Sequence, residues 1–388
     1  MKPLAGVRVV DFGQLTAGAN TSAMLADLGA EVIKVESVSF MDLFRSIGSG
    51  EATKPGWWNR SPQFRFTNRN KRGVALDAKI PEGRRVVQDL IAKADVVVEN
   101  FRRGVLERLG LDYATAAARN PRIVFASISS QGETGPYRLH GSFGSTLDAM
   151  GGIAALTGYD GDKPVISGSN VNYPDQVVSL FATGVIIAAP REARRTGRDA
   201  LLDILQREVT SFLIGEEILA SSVDPKRAEM CRSGNAEEGV SLQDCFLASD
   251  RRWIAVTLED VSDIARCRAI IGNEANLRTA LASWCAARPA GDAVAVLAAA
   301  GLAVAPVHDG AALKRERQLA GHTLVWRQNG EVVKGLPYCF GGKGLAIECD
   351  APDLGEHTEE VLRDIVGLDE TAIRRLVELG VTRADPGS

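Results

Sequence analysis

The feature that most constrains this chain is the regular alternation, in its first half, of short β-branched runs with helix-like segments. Val7–Phe12 reads as a strand, Asn20–Leu28 as a helix stopped at Gly29, and Glu31–Glu36 as a second strand. Val74–Asp77 is strand-like and precedes Pro81, a residue suited to a first helical turn, with the helix over Glu82–Ala94. Asp95–Asn100 and Ile123–Ser129 supply two further strands. Strand, helix and strand repeated in this way predict an α/β fold with a Rossmann-like, mainly parallel sheet, covered by helices on both faces. Ligands of such sheets bind beyond the carboxyl ends of the strands, so the residues just past each strand are the place to look for a site.

The second half has another texture. Ser222–Glu238 is polar and turn-rich and reads as a linker. Leu242–Val307 mixes a strand at Trp253–Leu258 with helices at Asn276–Ala287 and Gly291–Ala299, which predicts a smaller α+β domain. Thr358–Leu379 is read as a helical tail.

Several function classes are disfavoured. A net charge of −4 gives no reason to expect a nucleic-acid or anionic-membrane partner. No run of eighteen apolar residues is present and Met1–Val10 lacks a signal-like apolar core, so a cytoplasmic protein without a membrane span is expected. The six cysteines form no C-x-x-C pair and the four histidines are scattered, so reduced thiols and no metal are expected. No G-x-G-x-x-G follows the first strand, and G-x-S-x-G and P-loop patterns are absent.

Two basic stretches and one acid stand out. Arg60–Arg72 carries Arg60, Arg65, Arg69, Lys71 and Arg72 with no acid among them. It is either a solvated loop or a phosphate site. Asn100, Phe101, Arg102 and Arg103, with Arg108, directly follow a predicted strand, where phosphate binding is better placed. Asp175 stands before the apolar run Val177–Ala189. Alone it reads as a helix N-cap, yet a carboxylate at a helix N-terminus is also expected to stay ionised and can serve as a nucleophile.

Leu4–Gly18, Leu25–Glu36, Asn68–Lys79, Ala94–Tyr113, Asn120–Tyr137 and Ala351–Leu362 together resemble the class III CoA-transferases, the group of formyl-CoA transferase and the carnitine-type CoA-transferases. The resemblance implies that Asp175 is the nucleophilic aspartate. It implies that CoA is held by Asn68, Arg69, Asn70 and Lys71, by Asn100, Phe101 and Arg102, by Arg108, and by the backbone near Thr16 and Ala17. It implies CoA and acyl-CoA as substrates, with no tightly bound cofactor, and a small carboxylic acid as the second substrate. It further implies a large domain over 1–200 completed by 345–388, a linker helix and loop over 201–238, a small domain over 239–325 and a return linker over 326–344. The chain would then be a ring, interlocked with a second copy in a homodimer.

The chain departs from formyl-CoA transferase at Thr16, where that enzyme has a glutamine, at Ser37, where it has an arginine, and at Gly234–Val240, where its glycine-rich flap has no counterpart. The related α-methylacyl-CoA racemases would place a histidine at about Phe143, so racemisation is disfavoured. An acyl-CoA racemase or isomerase and a CoA-binding partner subunit of a hetero-oligomer remain the competing readings.

Overall fold

The computed structural model describes residues 2–50, 54, 56–167, 171–224, 232–319, 323–326 and 331–383. Cys231, His322 and parts of the expected linkers at 201–238 and 326–344 lie outside them. The chain divides into two compact units, one formed by Met1–Ile153, Ile166–Leu219 and Ala320–Ser388 and the other by Ala154–Val165 and Ala220–Leu319.

The first unit is built on six parallel strands: β1 (Arg8–Asp11), β2 (Glu31–Glu36), β3 (Arg72–Ala75), β4 (Val96–Glu99), β5 (Val124–Ser129) and β6 (Ala200–Leu205). Their spatial order is β3-β2-β1-β4-β5-β6, so the winding reverses between β1 and β4. A crevice opens at such a reversal, at the carboxyl ends of the two strands. β6 was not expected, since its residues fall where the sequence reads as the start of a linker. It pairs along its whole length with β5, from Val124 against Ala200 to Ser129 against Leu205.

Successive strand residues feed opposite faces, as the period of two demands. Val10, Ile33, Val97 and Phe125 pack on one side with the helix Pro81–Ala92 and with Val361, Leu362, Ile373, Leu376 and Val381 from the tail. Val9, Val32, Val96, Val98 and Val124 pack on the other with Met24 and Leu25 of the helix Ala17–Asp27 and with Val178, Ala182 and Ile186 of the helix Tyr173–Thr196. The tail is not one helix. A helical turn at Thr358–Val361 runs into a π turn that stops at Gly367, whose φ of 89° suits glycine. A second helix, Glu370–Glu378, follows, and the Asp369 carboxylate accepts from Ala372 N at its start.

The second unit carries an antiparallel sheet of β7 (Leu242–Leu247), β8 (Trp253–Leu258) and β9 (Ala303–Pro306). Its core joins Ile254, Val256 and Leu258 to Cys267, Leu281, Cys285 and Leu297.

Candidate functional site

The loop after β1 lies at the reversal, and buried charges hold it from several sides. Asp11 Oδ1 accepts from Gly13 N at 2.7 Å and Asp42 Oδ1 accepts from Leu15 N at 3.2 Å. The Asn100 side chain, just past β4, accepts from Gln14 N at 2.7 Å and donates to Gln14 O at 3.0 Å. Lys34 donates to Gly13 O and, at 3.0 Å, to Asp42. Burial alone would depress the Lys34 ammonium, but Asp42, Asp11 and Glu36 outweigh it and raise its pKa. Leu15 adopts φ 56°, a left-handed conformation that its backbone bond to Asp42 helps hold.

The basic stretch Arg60–Arg72 was expected to be a solvated loop or a phosphate site; Arg60 and Arg65 reach solvent, whereas its Asn68–Lys71 part turns inward. Asn68, Arg69 and Lys71 are buried. Arg69 pairs with Asp27, and its Nε donates at 3.0 Å. Lys71 Nζ reaches Asp11 at 2.8 Å, Ala19 O at 2.7 Å and Asn68 Oδ1 at 2.8 Å. Burial lowers the Lys71 pKa to about 8, with Asp11 opposing the shift. Asn70 donates to Asp27 and accepts from the backbone of Glu348 and Cys349. Asn68, Arg69 and Lys71 are desolvated and bonded within the protein, Asn70 is half-buried, and none of the four lines the cavities around the β1 loop. They fix the frame from which that loop projects.

Three neighbouring cavities open there. The central one, of about 600 Å3, is lined by Gln14–Thr16, Asn100–Arg103, Ser129–Gln131, His140–Gly144, Asn172 and Asp175. It shares Gln14, Phe40, Phe101 and Val105 with an apolar cavity of about 350 Å3 that also holds Ser37, Lys79 and Arg108. On its other side it shares Thr16, Phe44, Gln63 and Asn172 with a cavity of about 670 Å3. Thr16, Asn100, Phe101, Arg102 and Asp175 thus line the central cavity, and Arg108 lines the neighbouring one that shares Phe101 with it. Ala17 is buried behind it as the first residue of its helix.

Asp175 is the third residue of the helix Tyr173–Thr196 and faces Gly144, where an added Cβ would lie 3.2 Å from Asp175 Oδ2. The helix N-terminus was expected to keep this carboxylate ionised. Burial, and then the nearby Asp148 carboxylate, oppose that and raise its pKa from 3.8 to about 6. Near neutral pH it is still mostly ionised, and a more basic carboxylate is a better nucleophile.

Residues that sequence reasoning missed include Asp148, Gln14 and His140. Asp148 is buried in the helix Gly144–Gly151; its Oδ2 accepts from Ser167 N at 2.8 Å and Ser167 Oγ at 2.7 Å. Ser167 Oγ in turn accepts from Tyr173 N at 3.2 Å, tying Asp148 to the start of the helix that carries Asp175. Asp148 Oδ1, Gln14 Oε1 and Gln131 Oε1 are buried without a hydrogen-bond partner. His140, set aside in the sequence as an isolated histidine, lines the central cavity. Among the described residues no cluster of His, Cys, Asp and Glu suits a metal ion, and no helix is long and apolar enough to cross a membrane.

The model of CoA-transferase family III matches residues 4–358. The chain is 30% identical to the succinyl-CoA:L-malate CoA-transferase β subunit of Chloroflexus aurantiacus, over 96% of each chain. It is 30% identical to the mouse succinyl-CoA:glutarate CoA-transferase, over 98% of this chain and 90% of that protein. A crystal structure of a CaiB/BaiF family protein from Brucella suis superposes with a TM-score of 0.82 at 27% identity, covering 92% of this chain and 98% of that one. With this match running through the strands, the β1 loop and the Asp175 helix alike, the chain belongs to CoA-transferase family III and is a CoA-transferase.

Proposed function

We propose that the enzyme moves CoA from an acyl-CoA donor to a free carboxylic acid, with Asp175 as covalent nucleophile. The observation that carries this reading is the place of Asp175: a basic, partly buried carboxylate in the wall of the central cavity, which has a neighbouring cavity on either side. Arg108 and Lys79 line the apolar arm and suit the phosphates of the nucleotide end. The pantetheine would run past Asn100, Phe101 and Arg102, bringing the thioester to Asp175.

The carboxylate attacks the thioester carbonyl, forming an acyl-aspartyl anhydride and expelling CoA thiolate. The thiolate attacks the aspartyl carbonyl of that anhydride, giving an aspartyl-CoA thioester and releasing the donor acid. An acceptor carboxylate then attacks the aspartyl thioester, and the expelled thiolate takes up the acceptor acyl group, which returns the Asp175 carboxylate. Thr16 lines the cavity directly before the helix that begins at Ala17, and the free N–H groups at that helix start would suit the tetrahedral oxyanions. In this reading CoA is a substrate and no resident cofactor is needed. An interlocked homodimer and a cytoplasmic setting go with it.

Asp175→Ala should abolish transfer while CoA still binds. In the unsubstituted enzyme, mass spectrometry after mixing with acyl-CoA should find the adduct on Asp175, sensitive to hydroxylamine. Near-normal turnover by Asp175→Ala overturns the assignment. His140 in the same cavity favours one second reading, acid–base chemistry at the substrate α-carbon. Exchange of the α-hydrogen with solvent deuterium in the absence of any acceptor acid would identify it.

A further inference from the structure

The cavity of about 670 Å3 that shares Thr16, Phe44, Gln63 and Asn172 with the central one has no part in the transfer steps. Much of its wall is apolar, with Met24, Phe66, Leu180 and Leu336. The cation in that wall is Lys334. Its Nζ donates to Gln176 Oε1 at 3.0 Å and lies 4.7 Å from the centre of the Phe66 ring. Among the described residues no carboxylate forms an ion pair with it, and the acid whose charge acts on it, Asp27, is committed to Arg69. Burial, reinforced by the charge of Arg69, lowers its pKa to about 8. Gln176 Oε1 also accepts from Asn20 Nδ2 at 3.1 Å. Two donors on the oxygen set the orientation of that amide and turn its N–H2 away from them. Gln176 directly follows Asp175 in the chain.

We propose that this cavity receives the acyl part of the substrate and that Lys334 binds a second carboxylate carried by that acyl chain. The proposal rests on the reading of Asp175 as the nucleophile and adds to it the substrate class: dicarboxylic acids and their monothioesters. The reason is electrostatic. An ammonium held among apolar groups, with an amide oxygen and a ring face as partners, gains a charge-assisted hydrogen bond when a carboxylate arrives. A methyl-ended chain of the same length fills the space but leaves that cation uncompensated. The cavity therefore selects for the charged end of the chain, beyond reading its length.

The test is calorimetric titration of the protein, saturated with CoA, with glutarate and with valerate, two acids of equal chain length. The unsubstituted protein is expected to prefer glutarate by about tenfold or more, and Lys334→Met to lose about tenfold of that preference. If thermal unfolding shows that Lys334→Met fails to fold, Gln176→Glu gives the same readout, because it supplies Lys334 with an internal carboxylate and should likewise erase the preference. Equal binding of the two acids, or a preference that survives in the folded variant, overturns the proposal. Transfer assays on the same samples separate the two readings. A glutarate preference that the unsubstituted protein shows and Lys334→Met loses, with no transfer by the unsubstituted protein, sinks the nucleophile and leaves the cavity assignment standing; transfer by the unsubstituted protein without any such preference does the reverse.

Discussion

Replacing the nucleophile should make this protein more stable, and the gain should depend on pH in a defined way. The Asp175 carboxyl has a pKa of about 6 in the folded chain against 3.8 in the ordinary state. Each unit is worth about 1.4 kcal/mol, so ionised Asp175 costs the folded state at most about 3 kcal/mol at pH 7.5. Asp175 is only partly buried and faces an open cavity, so solvent screening brings this to roughly 1.5 kcal/mol. An asparagine in its place would keep the shape and remove the charge. At about 2 °C per kcal/mol, Asp175→Asn should unfold roughly 3 °C higher at pH 7.5. The sign comes from linkage: a carboxyl whose folded pKa is raised carries its penalty above that pKa and sheds it as pH falls toward the unfolded value. The advantage of the variant should therefore shrink by about half near pH 5 and to about a fifth near pH 4. Differential scanning calorimetry of both proteins from pH 4 to 8 measures this. A variant that is less stable at pH 7.5, or whose advantage does not change with pH, would refute the electrostatic reasoning.

Asp148→Asn keeps the bonds from Ser167 within reach of an amide oxygen and removes the second charge, so the acid limb of the kcat/KM profile should move to lower pH; an unmoved limb would show that Asp148 does not act on Asp175. Arg108 and Lys71 should behave differently although both are cations expected to hold CoA. Arg108→Ala should raise KM for acyl-CoA about tenfold with an unchanged melting temperature, read by steady-state kinetics and calorimetry. Lys71→Ala leaves Asp11 buried without its partner and should lose about 3–5 kcal/mol of stability, seen as a lower denaturation midpoint, before any effect on CoA binding is read.

Much of the first unit was legible because its strands are β-branched runs set off by Gly and Pro, and because parallel strands buried on both faces read as continuous apolar segments. Ala200–Leu205 escaped because Asp203 interrupts a short run and the strand comes directly after the end of a long helix. The site was half legible. Asn100 and Arg102 could be reached as the polar residues past the end of a strand, and Asp175 as the acid at the start of a helix. The charges at 69 and 71 could not be assigned locally, since their partners, Asp27 and Asp11, lie 42 and 60 positions away. Asp148 carries no local signal at all. Its effect comes from the approach of two helices and the loss of water between their carboxylates, which only the folded chain defines.

The tail that closes one face of the parallel sheet has a consequence for how this polypeptide is made. Val361, Leu362, Ile373, Leu376 and Val381 seal Val10, Ile33 and Val97, residues synthesised hundreds of codons earlier. While the ribosome works through the intervening unit, the early strands must wait with an uncovered greasy side, a state in which sticky contacts and chaperone engagement are favoured. Completion of that core thus waits until the residues beyond the intervening unit have been made.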